Sequence, residues 1–486
     1  MNILHPCGGR AAKRFAGVAL ALTTAAAMLA APAAHAATTT NIACHDTAGL
    51  IAAMSAAAPG DVINLAKHCT YTLTDTFPTG GTPNTLQVGL PPVSVASPGL
   101  TINGNGSTIT RSKTTGTPDF AILENDFPGV LTVSDLTLSG GVVDIAGGGS
   151  CGAFASGLLN GGDFTGHNLR VTKNLARATD MTDNCTAGGG VENEGTMTLD
   201  RHSSVDHNQA VAVCTSLSQC TAVVEGGGIA TDGALAVEDS TVRDNTAKVY
   251  GNFEAVAAGA GIAVDAFTSS DTILDHDKIG HNTVSSFSSG SSSLAGGGGG
   301  AFFGGDQTPS SVTVTSTTVS GNSAKANGAA IDIAIGGGFL NGAGGVNTDN
   351  FSFGEGTVLT GTADTFTGNA SVSVDTPGGA ALGGGLSDAE GPLGTGSSTF
   401  TATTFSKNRA KAQEGVGQGG GIASVLDGNV TLYGGSVTKN VASGGTAEGG
   451  GIFVDETSTV SLNGTNVAKN KPDNCFPHNT ITGCLG

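Results

Sequence analysis

Tryptophan is absent from this chain, tyrosine occurs three times, and charged residues make up only 12% of its 486 positions. Without Trp and with so little Tyr, it lacks the aromatic platforms on which sugar rings usually stack. Basic residues are scarce as well: 20 Lys and Arg stand against 39 Asp and Glu, a formal charge of −19. That balance repels nucleic acid, anionic lipid and acidic polysaccharides over the range that salt leaves unscreened. No basic patch with interleaved aromatics occurs, so no nucleic acid is expected as a partner. No Cys-x-x-Cys pair with matching His spacing offers a zinc site. No cofactor and no metal are expected, with calcium left as the alternative although no motif supports it.

What is present begins with a leader. Arg10, Lys13 and Arg14 precede an apolar stretch from Phe15 to Ala31, and Ala34-His35-Ala36 supplies small residues for cleavage after Ala36. No later run is long and apolar enough to span a bilayer, so the mature chain is expected outside the cytoplasm without a transmembrane segment. That places it as secreted, extracellular or surface-associated, with the periplasm as the other destination. The remaining cysteines suit an oxidising compartment and fall into sequence-near pairs: Cys44 with Cys69, Cys151 with Cys185, Cys214 with Cys220, and Cys475 with Cys484. Spacing suggests local staples and leaves the connectivity open.

The chain also holds 79 glycines. They do not signal disorder, because periodic β-branched apolar residues accompany them. Asparagines recur in one setting at Asn174, Asn208, Asn245, Asn282, Asn322, Asn369, Asn408, Asn440 and Asn470. Three positions before them stand Val171, Val205, Val242, Ile279, Val319, Phe366, Phe405, Val437 and Val467. Ahead of most, a glycine cluster runs into an apolar residue, as in Gly190-Val191, Gly228-Ile229, Gly261-Ile262 and Gly421-Ile422. Such a unit, repeated with insertions of varying length, is the signature of a solenoid. Stacked coils place equivalent residues about 4.8 Å apart in parallel sheets, so the asparagines are expected as a buried amide ladder and the apolar residues as a core column.

These residues resemble the secreted bacterial right-handed parallel β-helix repeat proteins of pectin-lyase-like fold. The opening match is Leu90-Pro91-Pro92-Val93 followed by Leu100-Thr101-Ile102-Asn103-Gly104-Asn105-Gly106. The later match is to the repeats of polymorphic outer-membrane proteins, in Phe366-Thr367-Gly368-Asn369 and Phe405-Ser406-Lys407-Asn408. The resemblance implies an all-β fold, a single right-handed parallel β-helix, and the residues Asp46 to Ala56, with Asp46 or Thr47 as cap and Pro59-Gly60 as stop, read as a short N-terminal capping helix. It implies no one activity, since this fold hosts lyases, hydrolases, epimerases, adhesins and passive surface proteins. The outer-membrane family ends in a membrane barrel, and no such barrel is expected from these residues.

The expected organisation is a signal peptide over 1–36, an N-terminal cap and first strands over 37–85, β-helix repeats over 86–472, and a disulfide clasp over 473–486. Within the repeats, Leu100 to Ile109 reads as two apolar-polar alternations about an Asn105-Gly106 turn.

Chemistry is sparse. The one Asn-Thr-Asp, at Asn347, Thr348 and Asp349, comes without the Asp-Asp and Gly-His-Gly that polygalacturonase-like sites add. Counting back from the asparagines brings His202, Asp239 and His276 into one column and Arg201, Glu238 and Asp275 into the next. A carboxylate between imidazoles can position a base or hold a cation, whereas an exposed ladder of paired charges is the plainer reading. Another column carries Thr315, Thr362 and Thr401, and a further one Thr318, Thr365 and Thr404, a face suited to ice or adhesion. The leading expectation is a non-enzymatic structural, adhesive or binding protein with a surface, glycan or protein ligand. The rivals are a polysaccharide-active lyase, hydrolase or epimerase centred on His202, Asp239 and His276, and an ice-binding or adhesive Thr face.

Overall fold

The computed structural model describes residues 36–78, 87–147, 152–180, 184–214, 220–265, 270–290, 292–303, 310–342, 346–347, 350–351, 357–374, 377–390 and 396–485. Together they form a right-handed parallel β-helix. One coil shows the plan. Strands Asp163–His167 and Arg170–Thr172 lie in a broad 23-stranded sheet, and the chain then turns at Asn174. Strand Leu175–Thr179 joins a 9-stranded second sheet and Asn184–Ala187 a 9-stranded third sheet. The glycines at 188–190 make the next corner, Val191–Asn193 enters an 11-stranded fourth sheet, and Thr196–Asp200 returns to the broad sheet.

Stacking keeps register from coil to coil: Val171 pairs with Val205, Val205 with Val242, and Val242 with Ile279. Side chains alternate across each strand, so these residues and Leu158, Val191, Ile229 and Ile262 of the fourth sheet fill a core between the broad and fourth sheets. Where the column turns aromatic, Phe366 stacks on Phe405 at 4.7 Å and meets Phe339 and Phe400 edge-on. A narrower core between the second and third sheets is built almost wholly of Ala and Val, including Ala210, Ala222, Ala247 and Ala257.

The asparagines stand at the waist between these two cores. From Asn174 to Asn470 each side-chain amide donates to the Oδ1 of the next, at 2.9–3.1 Å. The same Oδ1 also accepts the backbone N–H of the preceding asparagine, as Asn369 does for Asn322 at 3.0 Å. Sequence gaps between neighbours range from 30 to 47 residues, so insertions are absorbed elsewhere in the coil. Facing this ladder is the last glycine of each corner. A Cβ on Gly228 would come within 2.7 Å of Asn245 Nδ2, and one on Gly451 within 2.6 Å of Asn470 Nδ2. Asparagine and glycine recur together because each fills the space that the other leaves.

Two further polar lines run inside the coils. Asn125, Asn160, Asn193 and Thr231 form a buried ladder on the fourth sheet, with amide contacts of 2.7, 2.7 and 2.9 Å. At a turn of the broad sheet, Ser240 N–H donates to Asp277, Asp277 N–H to Thr317, Thr317 N–H to Asp364, and Asp364 N–H to Thr403.

At the N-terminus, helix α1 (Thr47–Ser55) is capped by Asp46, whose Oδ1 accepts Gly49 N–H at 2.8 Å, and it buries Leu50 and Met54 against the end of the stack. Cys44–Cys69 fastens it, Cys214–Cys220 closes a loop, and Cys475–Cys484 ties the last residues. Cys185 is also disulfide-bonded, while Cys151 lies outside the described residues. Residues 1–35, most of the leader, lie outside them too, as do Thr348 and Asp349. One local expectation is corrected. Leu100–Arg111 is a single 12-residue strand, because Asn105 and Gly106 adopt φ of 52° and 74° and make a bulge between Asn103 and Ser107 that the sheet retains.

Candidate functional site

Three places can be weighed as sites. The first is the turn column. His202, Asp239 and His276 do follow one another on successive coils: His202 N–H donates to Asp239 O at 3.1 Å, Asp239 N–H to Asp275 O at 2.9 Å, and His276 N–H to Thr315 O at 2.9 Å. All three take positive φ, between 48° and 68°, and all are exposed. The side chains do not converge. His202 Nδ1 meets a backbone oxygen, Asp239 O, at 3.2 Å, and His276 Nδ1 meets the carboxylate of its neighbour Asp275 at 2.8 Å. Arg201 reaches back to Asp200 at 4.0 Å, and Glu238 sits beside Asp275 in the sheet. This is a run of local pairs along a convex turn.

A denser polar knot lies one step along the broad sheet. Asp206 accepts two bonds from Arg170, both at 2.9 Å, one each from Thr172 and Ser204 at 2.6 Å, and shares a 2.8 Å bond with His207 Nδ1. Burial alone would raise its pKa, but the bonds from Arg170, Ser204, Thr172 and His207 together hold it below the usual carboxylate range. With its side chain 1% exposed and every lone pair engaged, Asp206 pins two adjacent strands and offers nothing to a ligand.

The second place is the outer face of the broad sheet in its C-terminal part. Thr315, Thr362 and Thr401 are register partners, as are Thr318, Thr365 and Thr404. They are flanked by Thr313, Thr360, Thr399 and Thr431 on one side and by Ser320, Thr367, Ser406 and Thr438 on the other. The strands read SVTVT, TVS, VLTGT, TFT, SSTFT, TFS, NVTLY and SVT. Not one residue in them is charged. The result is two strips of hydroxyls, one on each side of the turn at Ser316, Ala363 and Ala402, with rows about 4.8 Å apart and alternate residues about 6.7 Å apart along each strand.

The third place was not anticipated from the sequence. The third and fourth sheets meet at the glycine corner with their outer faces turned toward one another, and the angle between them holds a small cavity. Its enclosed part admits little more than a water-sized group before it opens to solvent, and its lining is Phe154, Ala187, Glu192, Glu225, Ala230, Thr231, Asp232, Ala263 and Asp265. Glu225 comes from the third sheet and Glu192 from the fourth, while Asp232 and Asp265 follow Thr231 and Val264, which are register partners. Glu192 is 7% exposed, and its Oε2 has no hydrogen-bond partner. The first corner glycine, Gly188, has φ of 59°, and a Cβ there would stand 2.6 Å from Glu192 Oε2, so glycine leaves the carboxylate its room.

Among the described residues, none of these four acids forms an ion pair with a base. Burial, and then repulsion from Asp232, Glu194, Glu225 and Asp265, raises Glu192 well above the ordinary carboxylate range. Glu225 and Asp232 are raised for the same two reasons, and burial pushes Asp265 up to about 7. A signal for this site was available. Aligned on the glycine corners rather than on the asparagines, the sequence shows Glu194, Asp232 and Asp265 at one position of three successive repeats.

The chain matches no protein-family model and no curated protein sequence. Among solved structures it is similar to a crystal structure of pectate lyase Pel9A, at 11% sequence identity and a TM-score of 0.30, covering 89% of this chain and 78% of that one.

Proposed function

We propose that this is an exported, non-enzymatic binding solenoid that meets a regular, uncharged surface through the hydroxyl lattice of its broad sheet. The observation that carries this reading is the absence of charge from the C-terminal outer face of that sheet, in a chain with a formal charge of −19. Acidic side chains occupy turns and the concave corner instead, so a partner can dock on this face without burying a charge. A lattice of donors and acceptors on a rigid sheet is preordered, and binding to a periodic surface then adds many weak contacts at small entropic cost. Neutral crystalline glycans are surfaces of that kind, and ice is another. The disulfides and the expected leader support an extracellular setting. An enzymatic role at His202, Asp239 and His276 has less support, because those side chains point to separate local partners.

The test is depletion of the purified protein by particulate cellulose, chitin and growing ice, alongside an assay for new reducing ends and unsaturated products. We expect retention on at least one of these surfaces without turnover. Thr360→Lys places a cation in a flanking row of the lattice, at an exposed position where the fold is insensitive. It should weaken retention by about tenfold, the loss of roughly one charge-disrupted contact region. Retention unaffected by Thr360→Lys, or turnover that vanishes in His202→Ala, would remove this reading.

A further inference from the structure

The corner cavity faces away from the hydroxyl lattice and presents a different chemistry. Four carboxyl groups surround one small space, no base among the described residues answers them, and the most buried of them aims an unpartnered oxygen into it. Carboxyls this buried stay neutral until something of opposite charge completes them, and a cationic ligand is what would ionise them. Three properties of the cavity define that something. It supplies only acceptors when its acids are ionised, so the ligand must be a donor. Among the described residues no three His, Cys, Asp or Glu side chains are grouped closely enough to coordinate a metal ion, which favours a cation held by hydrogen bonds over one held by direct coordination. Apart from Thr231, the remaining wall is apolar, formed by Phe154, Ala187, Ala230 and Ala263. It continues into Ala258, Ala301 and Phe303, which are register neighbours of Glu225, Ala263 and Asp265.

We infer that this corner cavity binds a primary ammonium group carried on an aliphatic chain. An ammonium offers three N–H donors and no acceptor, which suits Glu192 at the floor with Glu225, Asp232 and Asp265 around it. The alkyl carrier lies along the alanine and phenylalanine wall. A quaternary ammonium is disfavoured because it has no N–H to give and because Phe154 is the one aromatic in the lining, short of the cage that such ligands require. The same ammonium could arrive on a free diamine or on the lysine side chain of another protein.

The experiment uses the full mature chain at neutral pH and constant ionic strength. Calorimetric titration with 1,5-diaminopentane forms one arm, Nα-acetyl-lysine amide a second, and choline a control. Saturable binding of at least one of the two amines, with choline silent, is the expected result. Stronger binding of the diamine identifies a free amine as the natural source, and stronger binding of the lysine amide identifies a protein. Glu192→Gln retains the shape of the neutral acid, so it folds, but it cannot ionise against an ammonium, and it should weaken binding by about tenfold or more, the worth of one charge-assisted hydrogen bond. Asp265→Asn should weaken it in the same direction. Absence of saturable binding by both amines, equal binding by choline, or undiminished binding in Glu192→Gln would overturn the inference. None of these outcomes depends on what the broad sheet binds.

Discussion

Asn322 shows how much one side chain can carry in a stacked fold. Its amide donates to Ile279 O at 2.9 Å and to Asn369 Oδ1 at 3.0 Å, while its own Oδ1 accepts the backbone N–H and the side-chain amide of Asn282, at 3.0 and 3.1 Å. Leucine fills a similar volume but strands those partners in a site that water does not reach. Asn322→Leu should therefore destabilise the protein by about 1–3 kcal/mol, the cost of leaving buried polar groups unsatisfied. Denaturant unfolding followed by far-UV circular dichroism would measure it. An unchanged midpoint would mean that neighbouring coils re-pair around the gap.

At the scale of one element, the turn line through Ser240, Asp277, Thr317, Asp364 and Thr403 couples stability to pH. Each acid uses one oxygen to accept a backbone N–H, from Ser240 at 2.8 Å and from Thr317 at 2.9 Å, and leaves the other oxygen buried without a partner. Burial, only partly offset by those backbone bonds, pushes Asp277 up to about 8 and Asp364 up to about 7. Unfolded aspartate titrates near about 3.9. The folded state thus holds protons that the unfolded state has released. The associated stability is complete below about pH 4 and is lost as pH rises toward 7–8. The melting temperature should climb as pH is lowered from about 8 to about 5, and Asp364→Asn, which imitates the protonated acid, should flatten that climb. Asp206 has the opposite sign, since its depressed pKa makes its contribution decline only below about pH 4, outside this window. A slope identical in Asp364→Asn and the parent would show that Asp364 does not set it.

For the whole molecule, the contrast between what the sequence discloses and what it hides has a physical origin. A coil is readable because stacking demands the same residue at the same corner, and Val171, Val205 and Val242 repeat for that reason. The bulge at Asn105 and Gly106 is harder to read, because an Asn-Gly pair serves a turn and a bulge equally well. The carboxylates of the corner cavity are hidden for another reason. Glu225 and Glu192 belong to different sheets and different coils, and only the sense of the bend at the glycines decides whether their outer faces meet or diverge. The charged column of His202, Asp239 and His276 shows the converse: correct stacking of backbones on a convex turn leaves the side chains apart. The disulfides and the expected leader also yield a prediction at this scale. Intact mass of the exported protein should begin at Ala37, with no thiol free to alkylate before reduction. A chain that keeps residues 1–36, or that alkylates fully without reductant, would contradict export through an oxidising compartment.

The shortage of aromatic residues has an optical consequence. With no Trp in the chain, ultraviolet emission comes from three tyrosines, and they occupy unlike places. Tyr250 and Tyr433 are 43% and 48% exposed, whereas Tyr71 is fully enclosed beneath helix α1, its hydroxyl donating to Ile42 O at 3.2 Å and accepting Ala66 N–H at 3.0 Å. The enclosed component of tyrosine fluorescence is therefore a native reporter on the N-terminal cap alone. It separates fraying of the end of the stack from melting of the coils, with no label attached.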